Sequence, residues 1–418
     1  MPSVSRLTLS LAALAPLVGS AGAATTADTL SEIRESLIYG KPTVYVRYRM
    51  EDVSQDTPTG ALIPNTDAHA STMRLALGYG TKPYKGLSGY AQYEGVFGVG
   101  NEMYNSGNNG LTRYPVVTDH AENHEIQQAF ALYAPAYAPR TALKVGRQDI
   151  ALDNQRFIGT VAWRQDWQSF DAVTATSSYI RNLTLHYSYL DRVHRIVPED
   201  AVGGEVEMDG HLLNIAYKLP DIGTITGYAY LLDFDRTATF VNQSSATYGA
   251  RFIGSRKLSA DWVGLYLAEA AKQQDYAENS LDLDNNYFAG ELGIAWKGIA
   301  LKAGGEVLEG SGQAGNRFMT PLATLHAFNG WADLFLNTPN EGLRDLYVSL
   351  GGPIAQVDGL RFAAIYHDYT SDNGDIHFGD ELNLLLEYAV KKFDPNLVFG
   401  VKYAAYTCLL YTSPSPRD

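Results

Sequence analysis

The sequence predicts an all-β chain: a transmembrane, antiparallel, up-and-down β-barrel of about 18 strands. Three observations carry that prediction. Apolar and polar residues alternate with period two in about seventeen segments of roughly ten residues, the length a tilted membrane strand needs. The connections between these segments alternate short and long. No stretch after the first two dozen residues reaches the ~18 apolar residues of a transmembrane helix.

Taken in order, residues 1–23 read as a secretory leader. Arg6 supplies the basic start, Leu7 to Val18 the apolar run, and Ala21-Gly22-Ala23 the cleavage site. A short periplasmic segment, 24–41, follows, with a helix expected over Thr26 to Tyr39 because Leu30, Ile33 and Leu37 share a face. The barrel is expected over 42–407. In its first strand Val44, Val46, Tyr48 and Met50 face one way, while Tyr45, Arg47 and Arg49 face the other. Leu382, Leu384 and Leu386 oppose Glu381, Asn383 and Glu387 near the end in the same manner. Strands are expected to start near residues 42, 71, 87, 124, 141, 168, 181, 209, 222, 245, 258, 285, 298, 342, 359, 379 and 396. Long connections such as 98–123, 151–167, 191–208 and 309–341 fall on one side, which for an outer-membrane barrel is the outside. The last stretch, Cys408 to Asp418, breaks the pattern and resembles translated sequencing adapter. Bacterial barrels have even strand numbers, so a final strand is expected to be missing beyond Thr407.

Composition narrows the function. Charged residues make up 19% of the chain, below the usual quarter, which suits strands with one face in lipid. A net charge of −14 excludes nucleic acid as a natural partner. A single cysteine leaves no thiolate metal site. No phosphate loop, HExxH or GxSxG is present, so no enzyme and no cofactor are expected. His120 and His124 read as solvated loop residues, and Asp282, Asp284 and Asn285 as an acidic loop tip rather than a Ca²⁺ site.

What remains is a set of charged residues on the inward face. The cations are Arg47, Arg49, Arg74, Arg251, Lys302, Arg361 and Lys402; the acids include Glu94, Glu291, Glu306, Glu381 and Glu387. Such groups either set the selectivity of a pore or pair across strands to stiffen it. The 146–170 stretch adds Arg147, Asn154, Gln155, Arg156 and Arg164 beside Phe157, Trp163 and Trp167. Guanidinium forks and amides suit the carboxylates and hydroxyls of sugar acids. Arg156 and Arg164 could equally pair with Asp153, Asp166 or Asp171 and pin the loop.

The motifs GRQDIALDNQRFIGTVAWRQ (Gly146 to Gln165), FDAV (Phe170 to Val173) and RFMTPLATLHAFNGWADLFLNTPNEGLRDLYV (Arg317 to Val348) resemble the alginate-export porins of Gram-negative outer membranes. The resemblance implies a narrowed, arginine-bearing pore for a uronate polymer or its oligomers, with Arg147, Asn154, Arg156 and Arg164 at the constriction. It also places Trp331 and Asp333 in the second long outer loop. Expected partners are outer-membrane lipid, anionic oligo- or polysaccharides or other small anions, and a periplasmic or inner-membrane secretion assembly. The alternative reading is a non-conducting barrel that serves as a surface adhesin or structural protein.

Overall fold

A computed structural model describes residues 26–55, 67–235, 240–394 and 396–408. The expected leader and most of the expected tail lie outside the described residues. A helix, α1 (Thr26–Ile38), precedes seventeen strands. They are β1 (Lys41–Val53), β2 (Ala68–Gly80), β3 (Leu87–Gly98), β4 (Asn123–Tyr133), β5 (Thr141–Gln148) and β6 (Ser169–Ser177). Then come β7 (Leu183–His194), β8 (Glu205–Leu219), β9 (Gly223–Phe234), β10 (Ser245–Lys257), β11 (Trp262–Asp275) and β12 (Asp284–Trp296). The last are β13 (Ile299–Leu308), β14 (Leu343–Pro353), β15 (Leu360–Thr370), β16 (His377–Ala389) and β17 (Val398–Thr407). Each strand pairs antiparallel with the next, from β1–β2 through β16–β17.

The expected strand starts agree closely with these. The two largest differences have local causes. β8 begins at Glu205 rather than near 209, because β7 and β8 stay paired above the membrane band, out to His194 opposite Glu205. β11 begins at Trp262 rather than near 258, because Leu258 and Ser259 both donate backbone hydrogen bonds to the Trp262 carbonyl and close a turn.

The period-two pattern sorts side chains as the sequence implies. Val44, Val46, Leu346, Val348, Leu382, Leu384 and Val401 point outward and are exposed, as a lipid-facing band requires. Tyr133, Tyr179, Trp262, Trp296 and Tyr388 gather outward at the short-turn end, the aromatic belt of a membrane interface. Among the described residues no helix is long and apolar enough to cross a membrane.

The core sits inside the barrel. Ile150, Phe157, Ile158, Phe318 and Leu322 come from the 149–168 and 309–342 connections. They pack against the inward Phe170, Leu190, Leu212, Tyr228, Tyr230, Tyr287, Leu343 and Tyr369 of the wall. Two outer loops therefore fold back into the lumen rather than standing clear of it. They are joined there: Gly159 N–H donates to the Leu322 carbonyl at 2.8 Å and Thr324 N–H to the Gln155 carbonyl at 3.0 Å.

Candidate functional site

The strand register sets several electrostatic conflicts in the wall, Glu94 opposite Glu125 and Asp368 opposite Asp380 among them, and two lie against the infolded loops. Arg47 of β1 stands directly opposite Arg74 of β2. Glu306 of β13 stands directly opposite Asp345 of β14. Like charges in directly opposed positions destabilise a sheet. Both conflicts are relieved by groups that the infolded loops bring.

At the cationic pair, the 149–168 loop offers backbone carbonyls. Arg47 donates through Nη1 to the Ala162 carbonyl at 2.7 Å, through Nη2 to the Arg164 carbonyl, and through Nε to Gln165 Oε1 at 2.9 Å. Arg49 Nη1 donates to the Trp163 carbonyl at 2.6 Å, and its other nitrogens face Glu51 and Asp119. Arg74 is fully buried, pairs with Glu94, and lies 3.6 Å from the centre of the Trp167 ring. The first-strand arginines are thus the anchors of the loop.

At the acidic pair, the loops supply donors. Arg156 Nε donates to Glu306 Oε1 at 2.6 Å and Nη2 to Asn329 Oδ1 at 3.1 Å. Asn329 Nδ2 then bridges Glu306 at 3.0 Å and Asp345 at 3.1 Å. Burial works against the Arg156 charge, yet Glu306 and Tyr287 more than offset it and hold its pKa above the ordinary value. Gln155 Oε1 accepts from Thr324 Oγ1 at 2.8 Å and so ties the two loops together. Asn154 Oδ1 receives the Arg156 N–H at 3.4 Å, a local turn contact.

The two loops meet again beside β17. Arg164 Nη2 donates to Asp333 Oδ2 at 2.5 Å, with Glu51 3.4 Å from Nη1. Asp333 also bonds the His326 ring at 2.7 Å. The Trp163 ring stacks on His326 at 4.1 Å, with the Arg49 guanidinium 4.2 Å and the Lys402 ammonium 3.9 Å from its centre. Lys402 also lies 4.2 Å from the Trp331 ring centre. One tryptophan therefore touches cations from both edge strands, β1 and β17. Burial pushes His326 down to about 4, helped by Lys402 and Arg164 and opposed by Asp333. Burial would raise the Asp333 carboxyl, but His326, Arg164 and Arg49 hold it below its ordinary value. Asp166 is pushed well up by burial and by the nearby Glu125 and Glu94.

The remaining cations lie elsewhere. Arg251 is buried against Glu269 at 3.3 Å, directly opposite in register, and Lys302 meets Glu291 at 3.0 Å. Arg361 is exposed at the short-turn end, opposite Glu387. Arg147 departs from expectation. It lies on β5, not in the loop, and shares its face with the outward Leu143 and Val145. Its partners are Asp171 and Glu199, both at 3.1 Å, on the outer rim. The loop-pinning acids also differ from those expected: Asp153 accepts from Asn214, Asp166 accepts from Asn123, and Asp171 takes Arg147. His120 is not solvated but buried, 2.7 Å from Asn108, and burial drives it down to about 4. Residues that reasoning from sequence missed are Glu51, Asp119, His326 and Asn329.

A family model for alginate export matches residues 87–303, more than half of the chain. The chain belongs to the alginate-export family. Solved structures with the same fold include Acinetobacter baumannii OccAB2, at TM-score 0.68 and 16% identity over 89% of this chain and 93% of that one. Pseudomonas aeruginosa OccK9 (OpdG) superposes at TM-score 0.67 with 13% identity, over 89% of this chain and 94% of that one. Pseudomonas aeruginosa OpdK, solved with vanillate, gives 0.63 and 13% over 88% and 93%. None of the curated proteins matches the sequence. The alginate-export chain is thus an outer-membrane barrel of the 18-stranded porin type, its interior lined by buried arginine–glutamate pairs. Membership in this family points to transport rather than catalysis.

Proposed function

We propose that this member of the alginate-export family passes anionic sugars, uronate oligomers or polymer, through a narrowed channel of mixed charge. The observation that carries the reading is the gathering of Arg47, Arg49, Arg164 and Lys402 around Trp163, where β1, β17 and two infolded loops meet. Arg47 and Lys402 stay partly exposed there, so their charge is felt by a passing anion. Trp331 adds a flat apolar face suited to the C–H side of a sugar ring. Arg156 neutralises the wall acid Glu306, and Asn329 donates to both Glu306 and Asp345, which removes part of the repulsion a polyanion would meet. The vanillate in one similar barrel extends the candidate solutes to other small carboxylates.

The test is the reversal potential of single channels in planar bilayers under a KCl gradient. Chloride preference is expected, with oligouronate blocking the current. Lys402→Met, which removes a charge lying over two ring faces and beside His326, shifts the preference toward potassium. Potassium preference in the unaltered protein refutes the reading. The apolar packing of two loops inside the barrel favours a second reading, a plugged structural barrel, for which sugar-swelling rates in proteoliposomes would be zero.

A further inference from the structure

We infer that His194, Glu199 and Glu205 form a binding site for a Zn²⁺-like divalent cation on the outer rim, outside the lumen. His194 ends β7, Glu205 opens β8, and Glu199 lies in the connection between them. The β-bulge between Leu190 and Arg192 turns His194 to the outward side of the sheet, while Val193 enters the interior core.

The His194 side chain is only 1% exposed, yet its Nδ1 makes no hydrogen bond. A buried polar atom without a partner costs about 1–3 kcal/mol. That nitrogen faces Glu199 Oε1 at 3.5 Å and Glu205 Oε2 at 3.6 Å, and all three atoms lie within 4.8 Å of one another. Metal–ligand bonds of about 2.0–2.2 Å in a tetrahedron put neighbouring ligand atoms roughly 3.3–3.6 Å apart. The two distances fit that edge and are too long for hydrogen bonds.

The opposite ring nitrogen supports the same reading. His194 Nε2 bonds Asp171 Oδ2 at 3.0 Å, the carboxylate–histidine arrangement that orients a metal-binding imidazole. The carboxylates are also steered. Arg147 donates to Glu199 Oε1 itself at 3.1 Å and fixes that oxygen beside the histidine, and Arg192 holds Glu205 Oε1 at 2.5 Å, which leaves Oε2 turned to the histidine. Arg192 reaches Glu207 at 2.8 Å. Four carboxylates thus surround two guanidinium groups, a surplus of negative charge that attracts a cation. Glu199 is about half exposed, so the fourth coordination position opens to solvent. A bound ion would tie β7, β8 and their connection together, and through Asp171 also β6.

The test uses the full chain in detergent, stripped with a chelator and titrated with Zn²⁺ by calorimetry and with Co²⁺ by visible absorption. One Zn²⁺ per chain and a tetrahedral Co²⁺ band are expected. Asp171→Asn weakens binding by about 10–100-fold, as loss of an orienting carboxylate does. His194→Ala and Glu205→Gln remove binding. Glu199→Gln, on the exposed connection, provides a variant whose folding is confirmed by strand circular dichroism and heat-modifiable migration; it too loses the Co²⁺ band. No stoichiometric Zn²⁺ in the folded protein, or unaltered affinity in folded Glu199→Gln, overturns the inference.

Discussion

Arg156→Ala tests whether the infolded loop is held by charge. Arg156 is 2% exposed and Glu306 7%, so removing the guanidinium strands a buried carboxylate. Breaking a buried pair from one side costs about 3–5 kcal/mol. Glu306 keeps its bonds from Tyr287 and Asn329, both at 3.0 Å, which places the cost at about 3 kcal/mol, the lower end. At 1.4 kcal/mol per factor of ten, the loop then detaches from β13 on the order of a hundredfold more often. Two readouts follow that equilibrium: the urea midpoint of the tryptophan fluorescence that Trp163 and Trp167 contribute, isolated with Trp262→Phe and Trp296→Phe in the background, and the open-channel current noise. Both should change, while strand circular dichroism keeps its midpoint. The paired change Arg156→Met with Glu306→Leu should recover most of the loss, since a buried ion pair is replaceable by apolar side chains. A single-variant cost below about 1 kcal/mol, the range of solvent-exposed pairs, would refute the anchoring argument.

Three further outcomes are expected. His326 sits at about 4 in the fold against about 6.5 when exposed, so the released loop binds more protons between those values. The contribution is complete above about pH 6.5 and declines by roughly 3 kcal/mol as pH falls to about 4. Urea midpoints of loop fluorescence should track this decline, and His326→Phe should flatten it while keeping the stack on Trp163. Gly159→Ala should part the two loops, because an added Cβ would meet Thr324 Oγ1 at 2.3 Å; higher single-channel conductance is the readout, and an unchanged value counts against the packing. Arg251→Met should cost about 3–5 kcal/mol by stranding Glu269, whereas Arg251→Met with Glu269→Leu should restore the unfolding midpoint.

The wall was legible in the sequence because a strand declares itself locally. Leu382, Leu384 and Leu386 need only their neighbours to show which way they face. The outward face of Arg147 was equally visible in its spacing from Leu143 and Val145, although the motif that begins at Gly146 runs from strand into loop across it. The interior was harder. Arg156 meets Glu306 across 150 positions, and Arg164 meets Asp333 across 169. No spacing rule reaches that far. One signal was nonetheless present: once strands are registered, Arg47 faces Arg74 and Glu306 faces Asp345. A wall that sets like charges together breaks a rule that well-formed sheets obey, and at these two violations another element arrives.

The barrel and its contents are fastened by different bonds. The wall is held by main-chain hydrogen bonds between consecutive strands, from β1 to β17, shielded by lipid. The two inner loops are fastened to it largely by side chains whose strength depends on protonation and solvent. The molecule therefore behaves as a durable container with a releasable lining. Acid or moderate urea can unlatch the lining while the container stays whole, and return to neutral buffer lets it seat again. Unfolding followed through tryptophan and through strand signal should accordingly split into two transitions, the first reversible.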